Sequence, residues 1–316
     1  MALLLTVCVL TAPVRAQDDA AGAGRADTTS APVLSEALAA QVMLDRLSFS
    51  PGEIDGREGA NLKRALVAFQ TSRKLPVTGA LNDDTWKRLQ QDSDHAPPLV
   101  NYVITDSDVA GPFSPDIPGD LMEQSKLGAL GYATLLEALA ERAHASPALL
   151  QALNPDATFT KAGETLLVPN VSGGPAPTPA TDVVVIVTKA TSLLTVEDRD
   201  HHAIFHAPVT SGSAHDPLPI GTWKVNGVQQ NPTFNYNPAL FWDANPSHSK
   251  ARIPPGPNNP VGTVWIDLSK EHYGIHGTPE PAKIGHIESH GCVRLTNWDA
   301  QRVAALVKPG TTVIFR

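Results

Sequence analysis

Three short runs near the C-terminus hold the residues best suited to covalent chemistry: Tyr273-Gly274-Ile275-His276-Gly277-Thr278-Pro279, Ile284-Gly285, and Ser289-His290-Gly291-Cys292-Val293-Arg294-Leu295. A cysteine thiol with an ordinary pKa of roughly 8.5 is only a few per cent thiolate at neutral pH, so a neighbouring imidazole is its natural activator. His276 and His290 are the candidates. Tyr273 to His276 reads as the end of a strand, from which His276 can project towards a turn carrying Cys292. His290 lies two residues from the thiol and is better placed to shape that turn. Gly291 permits the close backbone approach that an oxyanion-binding turn needs. Arg294 shares a strand face with Cys292 and can donate a charge-assisted hydrogen bond to a carboxylate or carbonyl.

Two other readings of these residues stay open. Cys292 with His276, His286 and His290 could form a zinc set, since His272/His276 and His286/His290 repeat a four-residue spacing. That spacing aligns ligands only on a helix, and Gly274, Gly277 and Gly291 oppose one. Alternatively Cys292 is a small buried apolar residue and the histidines belong to turns.

The rest of the chain must position these groups. With 24 basic and 32 acidic side chains in 316 residues, the net charge is −8 and no dense Lys/Arg run occurs, which argues against a nucleic-acid partner. Residues 1–16 read as a signal peptide: Ala2 to Leu10 is apolar apart from Thr6, and Val14-Arg15-Ala16 offers a cleavage site. An exported mature chain would keep Cys292 as its one thiol, and no later segment is apolar enough to be a transmembrane helix. Residues 17–33 form an irregular leader.

Residues 34–92 predict a small all-α bundle. Leu34, Leu38 and Val42 begin it; Leu62, Ala65, Leu66 and Phe69 form one apolar stripe; Asn82 caps a third helix, with Leu81 and Trp86 as a hydrophobic staple. Residues 100–170 predict a small α/β module of strand, two helices and strand, with Ser146-Pro147 opening the second helix. Residues 171–181 are a Pro-rich linker whose stretch 172–181 has only Ala and Pro to dock the flanking pieces, so the final domain is expected to fold without residues 17–170. From 182 to 316 strands dominate: Val183 to Val187 is unbroken, Ala203/Phe205/Ala207/Val209 and Val264/Ile266/Leu268 alternate, and one helix around 300–307 starts near Thr296 and Asp299. Phe234, Tyr236, Phe241 and Trp242, in a long loop between 228 and 262, are expected to wall the site.

The wording of these segments resembles known families. Asp55-Gly56, Gly59, Ala68-Phe69-Gln70, Thr78-Gly79, Leu81 and Thr85-Trp86 are similar to the peptidoglycan-binding-like three-helix module. Asn154-Pro155 and Leu166 to Pro169, within strand, two helices and strand, resemble a LysM glycan-binding module, although Thr105 to Ala133 is a long first connection for it. His276-Gly277-Thr278, Pro279, Ile284-Gly285 and Ser289 to Leu295, with Pro219 to Trp223 and Pro254 to Gly262 upstream, resemble the L,D-transpeptidase (YkuD) catalytic domain.

That last resemblance implies a β-sandwich-like fold and a cysteine acyl-enzyme formed on a peptidoglycan stem tetrapeptide, with release of the terminal D-Ala. Cys292 would be the nucleophile and His276 the base, its ring oriented by the carbonyl of Gly277. The amides of His290, Gly291 and Cys292 would hold the oxyanion, and Ser289 and Arg294 would belong to the oxyanion and substrate-binding set. The acyl group would pass to an amine, including that of an outer-membrane lipoprotein, or to water. Neither metal nor cofactor is implied, and the location would be the periplasm or wall space. An inactive peptidoglycan-binding structural protein, or less simply a Cys/His zinc hydrolase, is the alternative.

Overall fold

The computed structural model describes residues 34–172, 182–289 and 291–316. The signal peptide, the leader, most of the linker and His290 lie outside the described residues. The N-terminal bundle has α1 (Glu36–Arg46), α2 (Ala60–Ser72) and α3 (Asp83–Asp92). Its core is the predicted stripe of α2 packed on Ala40 and Leu44 of α1, Leu89 of α3 and Phe49. Asn82 accepts from the Thr85 N–H as the cap of α3. Gln70 is buried, and its amide ties the following loop to α3 through Thr78, Ala80 and Thr85.

The α/β module follows, with β1 (Leu99–Val103), α4 (Asp106–Ala110), α5 (Leu121–Gln124), α6 (Leu135–Arg142), α7 (Pro147–Leu153) and β2 (Thr165–Pro169). β1 and β2 pair antiparallel around α6 and α7, the expected strand, helix, helix and strand. α4 and α5 occupy the long connection. Ser146 caps α7, with Pro147 at its first position. Bundle and module share a core, because Leu38, Val42 and Ile54 pack on Ala143, Ala145 and Leu153.

The C-terminal domain has β3 (Val184–Thr188), β4 (Leu193–Glu197), β5 (Ala203–Pro208), β6 (Thr210–Ser211), β7 (Gly221–Gln230), β8 (Phe234–Tyr236), β9 (Ala251–Ile253), β10 (Val264–Leu268), β11 (Gly274–His276), β12 (Val293–Arg294), α8 (Asn297–Leu306) and β13 (Thr312–Phe315). Nine of these strands form one sheet in the order β5-β4-β3-β13-β7-β10-β11-β12-β6. The expected sandwich is therefore joined at its middle. The first residues of β7 pair with β13 and its later ones with β10, so one long strand serves both halves, and a single core of their apolar faces and α8 fills the space between. Thr296 caps α8 by accepting from the Asp299 N–H.

The expectation that the linker leaves the last domain undocked is corrected by the structure. Residues 48–50 lie parallel to the outer edge of β5, with the Ser50 N–H donating to the His206 carbonyl and the His206 N–H to that of Ser48. A sheet edge that would otherwise be open is covered by the first module. Asp45, fully buried, accepts two hydrogen bonds from the Arg302 guanidinium at 2.9 and 2.8 Å, and its second oxygen lies 3.0 Å from His144 Nδ1. The His144 ring stacks on Trp298 of α8. These polar contacts dock the pieces without any apolar anchor in the linker.

Asp299 sits beside this cluster, accepting from Ser50 Oγ at 2.8 Å, and burial pushes its carboxyl up to about 6. Between about pH 4 and 6 the folded chain holds a proton that the unfolded chain releases, so this group's stabilisation is present below about pH 4 and lost as pH rises through 6. Asp299→Asn keeps an acceptor for Ser50 and removes the charge. It is expected to stabilise the chain by about 1–3 kcal/mol at pH 8 and by little at pH 4, as read from paired thermal melts. An equal effect at both pH values would contradict the assignment.

Candidate active site

β11 lies between β10 and β12, antiparallel to the first and parallel to the second, with His276 opposite Trp265 on one side and Arg294 on the other. The parallel register sets His276 level with Arg294, and Cys292, just before β12, level with Gly274; His276, Cys292 and Arg294 all reach one cavity. The alternation of Val264, Ile266 and Leu268 into the core turns Trp265 to the opposite face, where its ring stacks on that of His276 with centroids 5.4 Å apart. Trp265 was missed in the sequence, yet an aromatic on the non-core face of a central strand was the available signal.

His276 is buried, and its Nδ1 lies 2.7 Å from the Gly277 carbonyl. A carbonyl only accepts, so the proton sits on Nδ1 and Nε2 carries the free lone pair. Burial, helped by the nearby Arg294 charge, pushes the imidazolium pKa down to about 3, against the opposing pull of the Gly277 bond. Burial likewise pushes the Cys292 thiol up, while the Gly274 amide and Arg294 act the other way. The resting pair is a neutral thiol and a neutral imidazole, with Cys292 Sγ 3.8 Å from the His272 carbonyl.

The turn before Cys292 is braced from several sides. Ser289 Oγ accepts from the Gly212 N–H and donates to the Cys292 carbonyl, both at 2.7 Å. Ser289 is buried with these bonds made, and it braces the turn that carries Cys292. Gly291 has φ +103°, and a Cβ there would lie 2.8 Å from the Tyr273 ring, so both conformation and space require glycine. Further back, Asn61 of α2 donates to the Ile284 carbonyl at 2.9 Å and the Gly285 N–H donates to Thr210.

His276, Cys292 and Arg294 line one cavity of about 970 Å³. Phe234, Tyr236 and Phe241 form its opposite wall, as expected for the long loop, and Leu121 of α5 adds to it from the α/β module. The module's contribution carried no sequence signal. Trp242 lies outside the cavity lining, 61% exposed and stacked on His215. Arg294 Nε is buried without a hydrogen-bond partner. The histidines of the zinc reading diverge: His272 Nε2 lies 3.4 Å from Glu271, and His286 Nε2 lies 3.4 Å from Asn61. Among the described residues, the trio with metal-ligand spacing is Asp198, Asp200 and His202, far in sequence from Cys292.

Residues 182–315 match the family described as "L,D-transpeptidase catalytic domain", and residues 34–89 match "Putative peptidoglycan binding domain". The chain is 49% identical over 59 residues to "Putative L,D-transpeptidase YkuD" of Bacillus licheniformis, covering 19% of this chain and 36% of that protein. It is 30% identical over 134 residues to "Probable L,D-transpeptidase YbiS" of Escherichia coli, covering 42% and 44%. Against "Putative L,D-transpeptidase YqjB" of Bacillus subtilis it is 26% identical, covering 45% and 74%. The match thus spans about a third of the first of these relatives. Among solved structures, L,D-transpeptidase 3 from Mycobacterium tuberculosis aligns with a TM-score of 0.35 at 18% identity, over 49% of this chain and 75% of that one.

Proposed function

We propose, for a chain whose residues 182–315 are an L,D-transpeptidase catalytic domain and whose residues 34–89 are a peptidoglycan-binding domain, that it is an exported acyltransferase acting on peptidoglycan stem tetrapeptides through Cys292. The observation that carries this reading is the His276 ring, held by Gly277 with Nε2 free, in the same cavity as the thiol. Nε2 takes the Sγ proton as sulfur attacks the carbonyl of the third, diamino acid residue. Amides of the turn, from His290 to Cys292, hold the oxyanion. The C–N bond to the terminal D-Ala breaks, the leaving amine takes the proton from the imidazolium, and a thioester remains. An amine or water then attacks, the C–S bond breaks, and the proton returns to sulfur. Arg294, with its spare Nε–H, suits a carboxylate or carbonyl of the bound peptide.

The acyl acceptor is a second stem peptide, an outer-membrane lipoprotein or water. Residues 1–16 direct export to the periplasm or wall space, residues 34–92 and a LysM-like module at 100–170 hold the polymer, and 182–316 perform the chemistry. Among the described residues, no helix is long and apolar enough to cross a membrane.

Intact mass spectrometry with a carbapenem tests the reading, because such a β-lactam offers a strained carbonyl to a thiol nucleophile. The expected result is one covalent adduct per chain, absent from Cys292→Ala. No adduct on the intact chain would favour a structural peptidoglycan-binding protein.

A further inference from the structure

The residue that follows the site in sequence is held from outside its own domain. Asn297, at the start of α8, is buried. Its Oδ1 accepts from the Thr263 N–H at 3.1 Å, and its Nδ2 lies 3.1 and 3.3 Å from the two carboxylate oxygens of Glu141 in α6, and 3.2 Å from the Pro257 carbonyl. The acceptors around Nδ2 and the donor at Oδ1 fix which way the amide points. This oriented amide packs closely on the backbone that orients the His276 imidazole: a Cβ on Gly277 would lie 2.2 Å from Oδ1, so only glycine fits beside it. Gly277 supplies the carbonyl that orients His276, and the neighbouring Leu295 N–H donates to the His276 carbonyl at 2.9 Å. Glu141 is itself braced by the Tyr132 hydroxyl at 2.8 Å.

We infer that Glu141, in the module before the linker, is a positioning residue for the catalytic pair: through Asn297 it sets the Gly277 peptide and hence the direction of His276 Nε2. This rests on the reading of His276 as the base for Cys292. A carboxylate suits the task because it offers two acceptors to the Asn297 amide and the Tyr132 hydroxyl together. A glutamine in its place must turn an NH₂ towards one of them. The same contact makes docking of the module a condition for a well-aimed base, although Glu141 touches no reacting atom.

The test uses the full chain. Glu141→Gln and Glu141→Ala are compared with intact protein and with Ser50→Ala, which loosens the same docking surface at Asp299 without touching Asn297. Two rates are followed against pH: alkylation of Cys292 by iodoacetamide, and acylation by a carbapenem at saturating concentration. The Glu141 variants are expected to slow saturated acylation about tenfold with half-saturation unchanged, and to shift the alkylation profile towards that of His276→Ala. Ser50→Ala should lower the melting temperature while keeping both profiles. Wild-type rates and profiles in Glu141→Gln, or losses in Ser50→Ala that match those of the Glu141 variants, would overturn the inference. If the intact chain takes no carbapenem, the proposed function fails, and the alkylation profiles still decide whether Glu141 positions the pair. If Glu141→Ala is insoluble, the near-isosteric Glu141→Gln decides.

Discussion

His276→Ala is expected to slow acylation of Cys292 by about 10²–10⁴-fold, the usual cost of losing a general base. The loss should be large because the proposed function assigns the thiol proton to His276 Nε2, in the same cavity as the thiol. Burial pushes the thiol pKa up and the imidazole down, which disfavours a thiolate–imidazolium pair at rest and favours proton transfer in step with attack. In the variant the surviving rate should rise with pH as the thiol ionises unaided. In the intact chain it should stay flat from about pH 5 upwards, since the imidazole is already neutral there. The substitution also removes a buried ring stacked on Trp265, so melting temperature should fall as well. Rates measured by intact mass at several pH values check both points; a variant within threefold of the intact chain at pH 7 would remove His276 from the mechanism.

The largest stability effect is expected from Arg302→Ala, at about 3–5 kcal/mol, because it strands the buried Asp45 carboxylate. Burial opposes ionisation of Asp45, yet Arg302 and His144 outweigh it and hold the group well below the usual carboxylate range. A depressed carboxyl stabilises the fold above its unfolded pKa of about 4, and that contribution is lost as pH falls through the folded value. In Arg302→Ala the carboxyl has lost its strongest counter-charge, so burial raises its pKa. The gap between intact chain and variant should therefore be widest at pH 7 and close as the acid limit is approached. Melts across pH 3–8 test this, and a gap below 1 kcal/mol at pH 7 would mean that the modules are not held by this pair. The same contact sets the expectation for residues 182–316 alone: without Asp45, Ser50 and the strand-like cover on β5, they should be aggregation-prone.

Local features were legible in the sequence, and distant polar contacts were not. The apolar stripe of α2 and the caps at Asn82, Ser146 and Thr296 are decided within a few residues, so periodicity and capping chemistry expose them. Cys292, His276 and Arg294 were legible for the same reason, two short strands and one turn bringing them together. The bonds by which Ser289 braces its turn carried no such signal, because a hydroxyl beside a nucleophile looks alike whether it meets substrate or its own turn. Asp45 and Arg302 stand 257 positions apart, each at an ordinary place on a helix. Only the pairing distinguishes them from surface charges, and no local pattern encodes it. The role of α5 was hidden likewise, since four residues carry too little periodicity to announce a contact.

A docked arrangement trades reach for registry. A tethered enzyme sweeps a volume around its anchor, and its effective concentration varies smoothly with tether length. Here α1, α2 and α6 are each bonded to the domain that carries Cys292. The distance from any polymer-holding face of residues 34–92 to the thiol is then a property of the fold, as in a jig that clamps the workpiece at one offset from the tool. Under the proposed function, stem peptides at that spacing would meet the site with no tether entropy to surrender. Those elsewhere on the mesh would not be reached until the whole molecule let go.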